Sequence, residues 1–333
     1  MCATLEQLEM YNSKLYFCIL IINLFTIATS LIAIILAFRK LYQDSESVMN
    51  FPTRIFLGLI LVYVFMHQLA FFVLRLQIIY QFFNILSDPC KSTYTVQECS
   101  IITYGLITGN TGIIFIESAM TIDRFIATIF KKFYEKFKNQ ILLILVAIAI
   151  IFDLILINYI LSGINYEEQI INCGSLPSES VSRFAKYLEV SFYLSIFLIF
   201  MNFLLLFVNS RSEKKIRSLR SSYNVNQRFQ SVESLRSSQA IFVVIMVQFL
   251  SMLLYSIFTS FYLYIHDKIS TLNYGILLSI SYTPIYSSLI VPLLIIRMIH
   301  HIKQNRASKI KTMTTKHESQ EEHMRKMREL WNK

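Results

Sequence analysis

Residues 99–128 read CSIITYGLITGNTGIIFIESAMTIDRFIAT, and the architecture follows from how that stretch is bounded. A cysteine opens it, an apolar segment fills it, and Asp123-Arg124-Phe125 closes it just ahead of the basic pair Lys131-Lys132. Cys99 and Arg124 stand 25 residues apart, roughly 37 Å along an α-helix at 1.5 Å per residue. That reach crosses a hydrocarbon core of about 30 Å and part of each interface.

The rest of the chain has the composition of a membrane protein. Apolar residues make up 55%, aromatics 14% and charged residues only 16%, which excludes an ordinary soluble domain. Seven apolar runs occupy about 15–38, 55–84, 101–129, 140–161, 187–208, 240–265 and 272–296. Most exceed the roughly 18 residues that mark a spanning helix, and in lipid such runs must be helical. The expected fold is an all-α membrane protein, a seven-transmembrane helix bundle over 15–298. A short segment, 1–14, precedes the bundle, and a charged tail, 299–333, follows it. No basic n-region or cleavage site marks the first run as a signal peptide.

Seven crossings place alternate loops on opposite sides, so charge assigns the sides. The loops after helices one, three and five, together with the tail, hold 24 of the 31 Lys and Arg residues. By the positive-inside rule those segments are cytoplasmic, the N-terminus is outside and the C-terminus is cytoplasmic. The same sidedness accounts for the net charge of +10 without nucleic acid. It puts Cys90, Cys99 and Cys173 in the oxidising compartment, where disulfides persist. Three cysteines allow three single bridges, and at least one stays unpaired within the chain. No CxxC pair, HExxH or Gly-rich phosphate loop points to a metal, a cofactor or an enzyme.

These residues resemble the nematode serpentine chemoreceptors of class alpha, the Sra family. The likeness is carried by Cys2-Ala3, by Asp88-Pro89-Cys90 and Glu98-Cys99 in the first outer loop, and by Ile122-Asp123-Arg124 followed by Ala127-Thr128. Arg228-Phe229-Gln230 and Glu233 in the third inner loop match as well. The departure is Asp123, where the family usually has Glu; the charge is kept. The resemblance implies a rhodopsin-like G-protein-coupled receptor on the plasma membrane, on the cilia of chemosensory neurons. Its partners would be a small-molecule ligand, a heterotrimeric G protein, a receptor kinase with arrestin, and membrane lipid. It implies a bridge from Cys99 to Cys173, with Cys90 as the alternative partner. It also implies that Asp123, with Glu233 at the base of helix six, holds Arg124 at rest; the plainer role for Arg124 is snorkelling to the headgroups.

Ionisable residues within the hydrocarbon are the remaining candidates. Arg75, Asp153 and Glu189 are expected to line an outer ligand cavity. The alternatives are snorkelling for Arg75 and Glu189, and an internal partner such as His67 for Asp153. Glu117, on the face of Arg124 two turns earlier, reads as a packing-network residue. In helix seven, Pro284 and Pro292 each remove a backbone donor and permit a kink. The run Val291-Pro292-Leu293-Leu294-Ile295 lacks the Asn and Tyr that flank this proline in rhodopsin-like receptors, helix six has no Trp-x-Pro, and the one tryptophan, Trp331, is in the tail. Residues 297–303 read as a short amphipathic surface helix, and Ser308, Thr312, Thr314, Thr315 and Ser319 as phosphorylation sites. The competing class is a seven-helix transporter or ligand-gated channel. Transporters tend to show internal repeats and Gly/Pro-interrupted helices, whereas this chain has seven glycines and no visible repeat.

Overall fold

A backbone amide in lipid finds no water, so every crossing segment must close its own i→i−4 ladder. The computed structural model describes residues 5–43, 49–85, 93–170, 172–174, 176–218, 225–265, 268–315, 324–325 and 328. Through these the chain runs α1 (Leu5–Asn12), α2 (Lys14–Gln43), α3 (Phe51–Asn84), β1 (Tyr94–Thr95), α4 (Val96–Ile129), α5 (Lys131–Ile160) and β2 (Gln169–Ile170). Then follow α6 (Ser178–Ser218), α7 (Val225–Ile265), α8 (Thr271–Ser281) and α9 (Pro284–Thr315). Six segments are long and apolar enough to cross a membrane: α2 to α5, Ser178–Ser212 of α6, and Leu272–Gln304, which spans α8 and much of α9. The shorter apolar run Phe242–Phe258 in α7 is the seventh. The protein is an all-α seven-helix membrane bundle.

Helix α4 is the hub. It packs on α3, α5, α6 and α7, while α2–α3, α6–α7, α7–α9 and α9–α2 contacts complete the perimeter. Large apolar side chains such as Phe25 and Leu143, each 71% exposed, face outward, because lipid tails are as apolar as the interior. The α3–α4 seam depends on Gly105, Gly109 and Gly112. A Cβ on Gly105 would fall 2.8 Å from the Ala70 Cβ, one on Gly109 2.5 Å from the His67 Cβ, and one on Gly112 within the Tyr63 ring. The absence of side chains there lets the two helices approach closely.

One end of the bundle is closed covalently. Cys99, in the first turn of α4, is bonded to Cys173, with the Cα atoms 4.9 Å apart; Cys90 lies outside the described residues. Beside the bridge, β1 pairs antiparallel with β2, matching Tyr94 to Ile170 and Thr95 to Gln169. Thr95 and Glu98 form a capping box: Glu98 N–H donates to Thr95 Oγ1 (3.3 Å) and Thr95 N–H to Glu98 Oε2 (2.8 Å). This reciprocal pair satisfies two of the orphan donors at the start of α4.

Several boundaries move outward from those expected. Helix α5 starts at Lys131 rather than near 140, α6 runs from Ser178 to Ser218, and α7 begins at Val225 rather than near 240. The tail beyond 298 continues α9 as far as Thr315 instead of forming a separate surface helix. Hydropathy detects only the apolar part of a helix, whereas Lys, Arg, Glu and Gln continue one readily in water. Residues 5–12, expected to be a plain outer segment, form α1. There Met10 and Tyr11 are buried, and Tyr11 Oη donates to Gln81 Oε1 at 3.2 Å. Burial pushes the Tyr11 phenol above its ordinary range, so the group stays a donor.

The seventh crossing is interrupted between Ser281 and Pro284, and its backbone can be accounted for carbonyl by carbonyl. Pro284 cannot donate to the Ile280 carbonyl; Tyr286 Oη does so at 3.4 Å. Thr283 N–H turns to Ser281 O (2.7 Å), and Asn23 Nδ2 donates to Ser279 O at 3.2 Å. Pro292 leaves Ser288 O without its helical donor, and Ser30 Oγ supplies one at 2.9 Å. Two polar side chains of α2, one heptad apart, thus pin α8 and α9 on either side of the break.

Ser30→Ala orphans the Ser288 carbonyl and is expected to lower stability by about 1–3 kcal/mol, with Ser30→Thr close to wild type; thermal unfolding of the purified protein measures both. Cys173→Ser should cost about 2–5 kcal/mol, whereas Cys90→Ser should leave the non-reduced Cys99–Cys173 peptide in place in a mass-spectrometric map.

Candidate functional site

Polar chemistry concentrates at two depths of α4. At the end away from the disulfide, Arg124 is the largest of the fully buried side chains among the described residues, 1% exposed, and Asp123 is 0% exposed. A buried guanidinium requires a counter-charge and several acceptors. Arg124 Nε donates to Asp123 Oδ2 at 2.9 Å, and Nη2 reaches the same oxygen. Nη2 also donates to Tyr134 Oη at 2.8 Å, while Tyr134 Oη lies 3.1 and 3.2 Å from the two Asp123 carboxylate oxygens. The Arg124 guanidinium sits 5.8 Å from the Tyr134 ring centroid. Tyr134 belongs to the first turns of α5, turned back beneath α4 by the non-helical Phe130 (φ −106°, ψ 52°).

Two further rungs fix α4 against α6 around this cluster. Asn202 Nδ2 donates to Thr121 Oγ1 at 2.8 Å, and Asn209 Nδ2 to Thr128 Oγ1 at 3.3 Å. Both residue pairs advance by seven, so the helices run parallel in register here.

At the disulfide end a cavity of about 130 Å³ opens between α3, α4, α6, α7 and the segment carrying Cys173. Its walls are Phe71, Leu74, Leu106, Ile107, Leu176, Phe184, Tyr255 and Tyr282, with Thr103 and Asn110 as polar points. Tyr282 sits in the break between α8 and α9. Its ring stacks on Phe71 (centroids 4.7 Å, 2°) and meets Tyr255 edge-on (5.3 Å). His67 lies 3.0 Å from Tyr282 Oη. The next residue, Thr283, donates through Oγ1 to the Ser251 carbonyl of α7 at 2.6 Å.

Between the two depths lies a second cavity, of about 10 Å³, bordered by Asn110, Glu117, Ser195 and Gln248. That volume suits a single water. Glu117 is 4% exposed, and its Oε1 and the Gln248 Nε2 have no protein partner among the described residues. Asn110 borders both cavities.

The residues expected to share a ligand cavity are not brought together. Asp153 is buried and accepts from Thr111 Oγ1, with Tyr63 reaching the same carboxylate; His67 pairs with Tyr282 instead. Glu189 is exposed on α6. Arg75 is buried behind the pocket wall, its guanidinium 4.7 Å from the Phe71 ring centroid. Pro284 starts α9 and Pro292 lies inside it. The Glu233 side chain lies outside the described residues. Tyr134, Tyr255, Tyr282 and Asn110 were not singled out from the sequence. The signals available were weak: a tyrosine in a basic turn, and aromatics indistinguishable in type from core.

Tyr134→Phe removes the hydroxyl shared by Arg124 and Asp123 and should cost about 1–2 kcal/mol. Asp123→Ala strands a buried cation and should cost about 3–5 kcal/mol. Thermal midpoints of the two purified variants should fall in that order.

Comparison with known proteins places this architecture. The model of the family described as "Serpentine type 7TM GPCR chemoreceptor Sra" matches residues 1–331. Serpentine receptor class alpha-11 of Caenorhabditis elegans is 41% identical over 332 residues, covering 100% of this chain and 98% of that protein. Its Caenorhabditis briggsae namesake is 38% identical over 337 residues, again 100% and 98%. Serpentine receptor class alpha-13 of C. elegans is 31% identical over 335 residues, 99% and 97%. The multi-pass membrane chain with a centrally packed α4, bridged at Cys99 and carrying a buried Asp123–Arg124 pair, belongs to the Sra family of serpentine seven-transmembrane chemoreceptors.

Proposed function

We propose that the chain is a G-protein-coupled chemosensory receptor, with the N-terminus outside and the tail cytoplasmic. It detects a small-molecule cue in sensory neurons, at the plasma membrane of their cilia, and triggers exchange on a heterotrimeric G protein. The observation that carries this reading is the buried Asp123–Arg124–Tyr134 cluster at one foot of α4, with an aromatic-walled cavity beside the disulfide at the other. The basic residues Arg39, Lys40, Lys131 and Lys132 gather at the Arg124 end, as cytoplasmic loops do.

The cue occupies the cavity bounded by Phe71, Tyr255 and Tyr282, not one lined by Arg75, Asp153 and Glu189. Displacing Tyr282 strains the α8–α9 break and, through Thr283, the α7 backbone at Ser251. Movement of α7 relative to α4 then opens the Arg124 cluster to the G protein. Glu233 supports the resting state from the base of α7, and phosphorylation of the tail by a receptor kinase, with arrestin, ends the signal.

Heterologous expression with paired G-protein and current readouts tests the proposal. Cue-evoked G-protein activation is expected; a current that survives G-protein blockade would instead mark a channel. Glu233→Ala should raise basal signalling at equal surface expression, and unchanged basal activity removes Glu233 from the lock. An N-terminal epitope should be accessible to antibody on intact cells.

A further inference from the structure

We infer that the cavity accepts one uncharged, single-ring molecule of about benzene size bearing a hydrogen-bonding substituent. This deepens the reading of that cavity as the cue site and rests on it.

Size sets the first limit. Drug-sized ligands occupy roughly 300–1,000 Å³, whereas an apolar cavity of about 150 Å³ holds benzene. The cavity here is about 130 Å³, so a single ring fills it. Wall chemistry sets the second. Phe71, Phe184, Tyr255 and Tyr282 offer aromatic edges and faces, which favour a flat apolar or aromatic body. The described lining contains no Asp, Glu, Lys, Arg or His. Arg75 is not part of that lining; its guanidinium lies 4.7 Å from the Phe71 ring centroid. A charged ligand would therefore lose its hydration with no counter-ion in the wall, a cost of several kcal/mol. Asn110 and Thr103 supply the polar points that orient a hydroxyl or carbonyl.

The test uses full-length receptor in lipid nanodiscs and three fluorinated probes of nearly equal size: 4-fluorobenzyl alcohol, 4-fluorobenzoate and 4-fluorobenzylammonium. Fluorine NMR should show saturable binding of the alcohol, displaced by unlabelled benzyl alcohol. Both ions should bind about 100-fold more weakly, as the transfer cost of a charge implies. Leu106→Trp, which fills the cavity, should abolish binding, and Asn110→Ala should weaken it about tenfold. An ion that binds as tightly as the alcohol overturns the inference. So does alcohol uptake that is unsaturable and undisplaced in the wild-type protein, a result that needs no variant to fold. Saturable binding without signalling sustains the inference and counts against the receptor reading. Signalling evoked by a charged cue that displaces the alcohol overturns the inference and leaves that reading standing.

Discussion

A guanidinium sealed inside an apolar bundle is tolerable only if its charge and its donors are matched on the spot. Arg124 meets that demand with a carboxylate one residue away and a phenol turned in from α5. The requirement propagates outward. Tyr134 arrives only if α5 starts immediately after α4, which makes Phe130 the joint of both helices. α4 can host the cluster only at the centre of the bundle, and that position requires the glycine seam toward α3 and the Thr–Asn rungs toward α6. One buried cation thus constrains three helix–helix contacts.

Hydrogen-bond satisfaction is uneven along the bundle. Within the Asp123–Arg124–Tyr134 cluster the polar groups are closely paired, and the orphan carbonyls created by Pro284 and Pro292 have found donors. Elsewhere the pattern changes: Glu117 Oε1, His67 Nδ1, Gln248 Nε2 and Ser251 Oγ have no protein partner among the described residues. Three of those four residues stand where α4 or α3 faces α7 or the α8–α9 break. Interfaces with incomplete pairing hold their position less firmly than fully bonded ones, since rearrangement there forfeits little.

Much of this was legible in the sequence, and what was not shares a cause. The seven spans and the Asp123-Arg124 pair could be read because apolar length and adjacent charges are local signals, whereas the residues alone left the partner of Cys173 open between Cys90 and Cys99. The capping box Thr95-x-x-Glu98 was equally local and extends α4 five residues before the expected start. Tyr134 was hidden because it lay in a stretch expected to be a loop. Asp153 was recognisable as an intramembrane acid, but its donor Thr111 lies 42 residues away on another helix. Two of the donors that rescue the helix-seven carbonyls, Asn23 and Ser30, lie on α2, more than 250 residues distant. Pocket aromatics carry no signal that separates a wall from a core. Only the crossing of helices decides which rings leave a void.

The division of labour among the helices follows from what each is tied to. α4 is bound at one end by the disulfide and at the other by the Arg124 cluster, with the α3 seam and α6 rungs between. Asn110 and Arg124 are 14 residues apart, roughly 21 Å, so a rigid α4 keeps the cavity and the cluster at fixed separation. A helix so restrained serves as the frame against which others shift. The seventh crossing is interrupted where it meets the cavity wall, at Tyr282, and α7 meets that break through the Thr283–Ser251 bond and the Tyr255–Tyr282 ring contact. A packed interface shifts between discrete arrangements rather than deforming smoothly. The contact of α7 with α4 beside Glu117 and Gln248 combines a void with polar atoms that have no protein partner among the described residues. Of the helices that wall the cavity, α7 and the α8–α9 break are thus tied to α4 by fewer side-chain hydrogen bonds among the described residues than α6 is.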